Sequence, residues 1–298
     1  MARDLPHPAQ YSPLANPAAT IRTLQEHSLY TKKRLGQHFL VADGVVGRIM
    51  RLAAPSADDV ILEIGPGIGT LTTALLSSGA PVVALEKDPD LVQVLTETLG
   101  EYETLHLVAA DALTLPTLTL PAPPTTLIAN LPYAVAATVV LDAFQSLATL
   151  RSATVMVQRE VACRMAARPG TKDYGAYTVK LRLLTDVAGS FSVSRSSFLP
   201  PPRVDSTVIR LIRIPPATSS PTADASKHLP TAYAHTAAIV DCAFAMRRKT
   251  LYNNLRATYP TDTVTTALHK AGVSASARAE TLTPADFVRL AAELPTSP

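Results

Sequence analysis

The sequence predicts an α/β domain with a mainly parallel, seven-stranded sheet, followed by a small all-helical domain. Three observations carry this. From Val60 onward, short apolar runs alternate with stretches of helical length, the pattern of strands joined by crossover helices. One of these runs ends in a turn with three glycines, as strand-to-helix connections in such sheets do. Beyond residue 231 the apolar spacing changes to the 3.6 period of amphipathic helices.

The elements follow in order. Residues 1–30, rich in proline at the start, are expected to be a disordered or loosely ordered extension. The strands are expected at Val60–Ile64, Val82–Leu85, Leu105–Val108, Leu127–Ala129, Ala153–Val157, Val179–Leu184 and Val208–Ile212. Leu71–Ser78, Pro89–Leu99, Val135–Leu147 and Glu160–Ala167 have the length and spacing of crossover helices. The first domain thus spans 31–214, and residues 215–231, dense in Pro, Ser, Thr and Ala, read as a linker. In 232–298, Val240, Phe244, Leu251 and Leu255 fall on one helical stripe with Arg247, Arg248 and Lys249 between the apolar steps. A second helix is expected to end at Gly272, and a third to begin at Thr283, whose hydroxyl can cap the Asp286 amide while Pro284 occupies the first turn.

Composition narrows the function classes. With 47% hydrophobic and 17% charged residues in 298, the chain can bury a sizeable core, and no apolar run is long enough for a membrane span. The start lacks the cationic-then-apolar order of a secretion signal. Two cysteines, Cys163 and Cys242, form no CxxC pair and no cluster with histidines, so neither a zinc site nor a disulfide framework is expected, and a reducing cytoplasm fits. The net charge of +3 leans only mildly towards an anionic partner. Its clusters, Lys32-Lys33-Arg34 and Arg247-Arg248-Lys249, are more telling than its total.

The candidate chemistry starts at Glu63-Ile64-Gly65-Pro66-Gly67-Ile68-Gly69. Glycines suit positions of positive φ and places where a ligand approaches the main chain. The spacing is neither G-x-G-x-x-G nor the P-loop pattern with its lysine, which weakens both phosphate readings. Glu86 ends the second strand, 19 residues after Gly67, where doubly wound folds place an acid that binds ribose hydroxyls. Asp111 follows the third strand. Acids at successive strand ends point to a nucleoside-bearing cofactor.

After the fourth strand stands Asn130-Leu131-Pro132-Tyr133. The N6 of adenine is a weak nucleophile because its lone pair is delocalised into the ring. Two acceptors, an Asn side-chain oxygen and a main-chain carbonyl, can hold its hydrogens and direct the lone pair at an electrophile while an aromatic ring stacks on the base. Asn130, the Leu131 carbonyl and Tyr133 supply that set, and Pro132 stiffens the turn.

With these residues the chain resembles the ribosomal RNA adenine N6-dimethyltransferases, enzymes of the Rossmann-like, S-adenosylmethionine-dependent methyltransferase fold. The resemblance rests on Leu35-Gly-Gln-His-Phe-Leu40, Glu63 through Thr72, Glu86, Asp111-Ala-Leu113, Asn130-Leu-Pro-Tyr133, Gln158-Arg-Glu160 and Phe198-Leu-Pro-Pro-Pro-Arg-Val-Asp-Ser206. Arg247-Arg-Lys-Thr-Leu251 and Arg278-Ala-Glu280 extend it to the C-terminal domain. The Asn-Leu-Pro-Tyr and Arg-Arg-Lys-Thr-Leu motifs look like the housekeeping branch, which dimethylates two adjacent adenosines in the 3′-terminal hairpin of 16S rRNA. Relatives that confer macrolide resistance modify large-subunit rRNA and usually carry Ile at the second position of the tetrapeptide.

The resemblance implies roles. The main chain at His38 and Leu40 and the turn at Gly65 and Gly67 border the methionine part of S-adenosylmethionine, Glu86 holds its ribose and Asp111 its adenine amino group. Asn130 borders both cofactor and target, and Phe198 stacks on the target adenine opposite Tyr133. Arg247, Arg248 and Lys249 grip RNA. It implies small-subunit rRNA in an immature pre-30S particle as the substrate; a monomer is the default expectation, because that particle supplies the large partner surface, and the absence of a metal cluster or a histidine near the tetrapeptide fits chemistry without metal. Two departures stand out: Ala134-Val-Ala-Ala137 replaces more polar residues of the family, and residues 1–30 exceed the usual lead-in. A binding protein that kept the fold and lost the chemistry would show damaged cofactor motifs, whereas every motif here is intact.

Overall fold

The computed structural model describes residues 10–29, 37–215 and 231–296. The basic cluster Lys32–Arg34, the Leu35-Gly36 part of its motif and nearly all of the expected linker lie outside the described residues. The chain forms two compact units. The first comprises residues up to Ala143 with Thr149–Arg159 and Val187–Ile212; the second comprises Phe144–Ala148, Glu160–Asp186 and everything from Arg213 on. The expected single boundary at 214 is therefore one of several crossings, because the segment around 160–186 packs with the C-terminal helices.

In chain order the strands are β1 (Phe39–Leu40), β2 (Ile61–Ile64), β3 (Val82–Glu86), β4 (Leu105–Ala109), β5 (Thr126–Asn130), β6 (Ser152–Gln158), β7 (Thr185–Val193), β8 (Phe198–Leu199) and β9 (Ser206–Arg213). The helices are α1 (Pro17–Glu26), α2 (Asp43–Ala53), α3 (Thr70–Leu76), α4 (Pro89–Leu99), α5 (Ala136–Ser146), α6 (Arg159–Ala166), α7 (Ala176–Arg182), α8 (Thr231–Phe244), α9 (Leu251–Leu255), α10 (Thr261–Ala271) and α11 (Pro284–Glu293).

Seven strands form one sheet in the order β4-β3-β2-β5-β6-β9-β7. The neighbours from β4 to β6 run parallel, and β9 runs antiparallel to β6. Every residue of β2 and β3 is buried, which is why these strands read as continuous apolar runs. The chain leaves β2 for β3 and β4 on one side and returns to β5 on the other, so the carboxyl ends of β2 and β5 flank a topological switch point. Apart from this sheet, β1 and β8 form a two-residue antiparallel ladder, Phe39 opposite Leu199 and Leu40 opposite Phe198.

Three expectations need correction. Val179–Arg182 belongs to α7, and Leu183 and Leu184 to the turn that ends it, rather than to a strand: the Val179 amide bonds the Gly175 carbonyl and the Leu183 amide bonds the Val179 carbonyl. A short apolar run cannot be assigned by periodicity alone. The seventh strand is instead β7, whose residues alternate buried and exposed faces but are too polar to stand out in sequence.

Residues 10–29 are not a loose extension. Asn16 accepts the Ala19 amide at 2.8 Å and caps α1, with Pro17 in its first turn. The Asp43 carboxylate takes the amides of Tyr11 and Ser12, the latter at 2.8 Å, and Leu24 packs with Phe39, Ile68, Leu91 and Val94. Bonds to a charged acceptor contribute about 1.5–3 kcal/mol. In Asp43→Ala, cleavage at the exposed Arg22 during limited trypsin digestion is expected to speed up by about tenfold or more, since cleavage tracks the opened population.

The third correction concerns the basic cluster. The expected helix through Val240 and Leu255 is broken into α8 and α9, and Arg247–Lys249 occupy the exposed turn between them. Asn254 donates to the Ala243 and Met246 carbonyls at 2.6 and 3.2 Å, closing the end of α8, while Thr250 caps α9. The ends at Gly272 (φ 67°) and Thr283, which forms a capping box with Asp286, match the expectation. Among the described residues no helix is long and apolar enough to cross a membrane.

Candidate active site

All the residues of the site belong to the first unit. A cavity of ≈ 270 Å³ lies at the carboxyl ends of β2, β3 and β5, at the small end of the range for small-molecule sites. Of the expected residues, His38, Leu40, Gly65, Gly67, Glu86, Asp111, Asn130, Leu131 and Tyr133 line it. Phe198 does not: it is 3% exposed and packed in the core with Leu40 and Ile49. Arg247, Arg248 and Lys249 belong to the second unit, where Arg247 is partly engaged by the Lys172 carbonyl at 3.0 Å.

The glycine turn is shaped by its surroundings. Gly65 and Gly67 adopt φ of 70° and 64°, and a Cβ at either would sit 3.3 Å from the Pro132 ring or the Phe39 ring, respectively. The turn is thus wedged between the Asn-Leu-Pro-Tyr segment and β1. Glu86 ties it to β3. One carboxylate oxygen accepts the Gly67 amide at 3.3 Å, and the other takes the Lys87 and Asp88 amides at 2.9 Å each. Burial raises the Glu86 carboxyl, with these amides opposing.

Asp111 faces the cavity with its Oδ1 accepting the Leu113 amide at 3.0 Å and its Oδ2 paired to the Lys87 ammonium at 2.5 Å. Lys87 holds this carboxyl below the usual range. Lys87, directly after the ribose-type acid in sequence, is thus a further charged residue of the cavity lining.

Glu63 is also unexpected in its state. It is 1% exposed, and its Oε2, together with the Thr70 and Thr72 hydroxyls, finds no hydrogen-bond partner among the described residues. Burial pushes its carboxyl up to about 8, and repulsion from Glu86 adds to the rise. The folded chain therefore keeps the Glu63 proton up to about pH 8, whereas an ordinary glutamate loses it near 4.5. Folding takes up a proton within that window, so stability falls as pH rises through it. Glu63→Gln removes the effect: by calorimetry, the Tm of the variant is expected to gain on the parent between pH 5 and 8.

The Asn130 amide donates to the His38 carbonyl at 3.4 Å, while Asn130 Oδ1 and the Leu131 carbonyl accept no hydrogen bond among the described residues. The Tyr133 ring stacks on His38 with centroids 5.8 Å apart. His38 Nδ1 meets the Pro200 carbonyl at 2.8 Å, and the Tyr133 hydroxyl meets the buried Ser206 hydroxyl at 2.5 Å. The Tyr133–Ser206 contact spans 73 residues and leaves no local signal in the sequence.

A sheet whose strands β4 to β6 run parallel, with the antiparallel β9 between β6 and β7, and a cavity holding glycine turn, strand-end acids and a polar Asn-Leu-Pro-Tyr turn, define a Rossmann-like methyltransferase. The family model for ribosomal RNA adenine dimethylases matches residues 29–295, and the chain belongs to that family. It is accordingly an rRNA adenine dimethyltransferase. Among its relatives, the small subunit rRNA methyltransferase A of Thermobifida fusca is 41% identical over 95% of this chain and 96% of its own length. Two solved structures are similar: a dimethyladenosine transferase from Plasmodium falciparum (25% identical, TM-score 0.69, 85% of this chain and 96% of that one) and the 23S rRNA methyltransferase ErmE (28% identical, TM-score 0.63, 86% and 99%).

Proposed function

We propose that the chain transfers methyl groups from S-adenosylmethionine to N6 of two adjacent adenosines in the 3′-terminal hairpin loop of 16S rRNA, in an immature small subunit. The observation that carries the chemistry is the pair of open acceptors, Asn130 Oδ1 and the Leu131 carbonyl, set beside a stacked tyrosine at the mouth of a nucleoside-type cavity.

The cavity residues fit the cofactor. Glu86 offers its carboxylate for the ribose, Asp111 its own for the adenine amino group, and the main chain at His38, Leu40, Gly65 and Gly67 borders the methionine part. Glu63 Oε2 and the Thr70 hydroxyl, without a hydrogen-bond partner among the described residues, line the same cavity and would offer oxygens to the cofactor's amine. When bound, the cofactor supplies a methyl group already activated on a sulfonium. The protein has only to hold N6 in line and desolvated, which is where positioning contributes most. Asn130 and Leu131 accept the N6 hydrogens and Tyr133 carries one face of the base. Phe198 is assigned the opposite face, and because it is buried, adenine entry must uncover it. Arg247, Arg248 and Lys249 hold RNA phosphates. The chain acts as a monomer in the cytoplasm, where the particle matures.

The 41% identity to a small-subunit enzyme favours this substrate over the large-subunit rRNA of ErmE, at 28%. The test is methylation of undermethylated small and large subunits with labelled S-adenosylmethionine, followed by mass spectrometry of the digested RNA. Dimethyladenosine at two neighbouring small-subunit positions is expected. Label confined to large-subunit RNA would overturn the assignment.

A further inference from the structure

We propose that Arg159, Arg195 and Arg203 form a phosphate clamp that grips the RNA backbone beside the extruded adenosine. The proposal rests on the reading of Tyr133 as the face of the target-base pocket, and it adds an RNA site in the first unit to the basic turn of the second.

Three backbone segments meet at one loop. The Arg159 amide donates to the Asp205 carbonyl at 3.0 Å, the Arg195 amide donates to the Asp205 carboxylate at 3.3 Å, and the Arg195 guanidinium reaches the Arg203 carbonyl at 3.5 Å. The loop runs directly into Ser206, whose hydroxyl holds Tyr133. Arg159 follows Gln158, the register partner of Ser206, and Arg195 opens the single turn that leads into Phe198. Arg195 therefore stands three residues before Phe198, and Arg203 and Arg159 flank the Ser206 that holds Tyr133.

Their charges are uncommitted. Most other described cations of this unit are engaged: Arg48 lies over the Phe191 ring at 3.9 Å, Lys87 pairs with Asp111, Arg151 pairs with Asp59, and Arg210 donates to the Leu52 carbonyl. Arg159, Arg195 and Arg203 are all exposed, and none forms an ion pair among the described residues. Arg159 and Arg203 have no side-chain hydrogen bond there either, and Arg195 has only the long contact to Arg203. The Asp205 carboxylate offsets part of the charge while receiving the Arg195 amide, leaving three guanidinium groups against one acid. Three unsatisfied forks of donors call for an anion with several acceptor oxygens.

The neighbouring pocket says which anion. A base turned out of its stack brings its flanking phosphates to the lip of the pocket that receives it. Guanidinium groups at that lip hold those phosphates without reading sequence, and they supply electrostatic attraction locally on a chain whose net charge is only +3. An acidic protein surface would leave the adjacent base pocket without a use.

The experiment compares the parent with Arg159→Gln, Arg195→Gln and Arg203→Gln, singly and together, and with the triple Arg→Lys set. Affinity for small subunits is measured across a salt series, S-adenosylmethionine affinity by calorimetry, and folding by Tm. Each lost phosphate contact should lower the slope of log K against log salt by about 0.7–0.9, so the triple Gln variant should lose roughly 2.1–2.7. Its RNA affinity should fall at least tenfold, with cofactor affinity and Tm unchanged. The Lys set should keep most of the salt slope and lose affinity only in part. An unaltered salt slope and RNA affinity in a folded triple variant, or loss of cofactor affinity in equal measure, would overturn the clamp. Should the triple variant misfold, the single variants decide by the same slope. Because binding is read independently of turnover, a parent that binds RNA but methylates only another site would sink the substrate assignment and leave the slope to judge the clamp.

Discussion

In Asn130→Ala, turnover is expected to fall by about a hundredfold or more while S-adenosylmethionine affinity changes by only a few-fold. Removing one preorganised partner of a developing charge costs roughly 10²–10³ in rate. Asn130 lines the cavity and donates to the His38 carbonyl, with its oxygen accepting no hydrogen bond among the described residues. The amide-to-His38 contact is long, so its loss should disturb the cofactor segment little. Single-turnover methylation at saturating RNA, with calorimetric cofactor titration alongside, separates the two effects. Unchanged turnover with cofactor binding intact would remove Asn130 from the reaction.

The second large effect is expected at Glu86. Its carboxylate accepts three amides, those of Gly67, Lys87 and Asp88, and is 8% exposed. In Glu86→Ala these donors lose a charged acceptor at a buried position, a penalty of about 1–3 kcal/mol or more, and the glycine turn loses its tie to β3. The ribose contacts go with it. Cofactor affinity is expected to drop by at least about a hundredfold, equivalent to 2.8 kcal/mol at 1.4 kcal/mol per decade, with a lower Tm. Glu86→Gln keeps one acceptor oxygen and should fall between the parent and the alanine variant. Equal cofactor affinity in all three would dismiss the ribose role.

What could be read in the sequence was what is local. A glycine turn, a strand-end acid and an Asn-Leu-Pro-Tyr turn are each settled by a few neighbouring residues, and α4 lies where its length and apolar spacing placed it, at Pro89–Leu99. The Asn16-Pro17 start of α1 carried a similar signal that proline-rich composition obscured. Other features were hidden because they depend on distant partners. The apolar run at Val179–Leu184 fits a strand or a helix until its packing against Tyr174, Ile239 and Leu251 is known. The break before α9 needs the Asn254 amide, 11 residues from the Ala243 carbonyl that it satisfies. Within the site, the Ser206 grip on Tyr133 and the burial of Phe198 follow from sheet and ladder pairings, which no local spacing encodes.

The two-residue ladder between β1 and β8 has a consequence for how a newly made chain gains its site. Leu40 and Phe198 are paired across more than 150 positions, and the Val41 amide reaches the Ser197 carbonyl at 2.8 Å over the same gap. Closing so long a loop is slow unless the intervening chain is already folded. The glycine turn and its acids can be built as soon as β2 to β5 are synthesised. The His38–Leu40 segment gains its ladder partner only after nearly two hundred residues have been made. Completion of the cofactor border thus becomes a late event, so a truncated product ending before Phe198 carries the acids and the turn without the ladder that fixes His38 and Leu40 beside them.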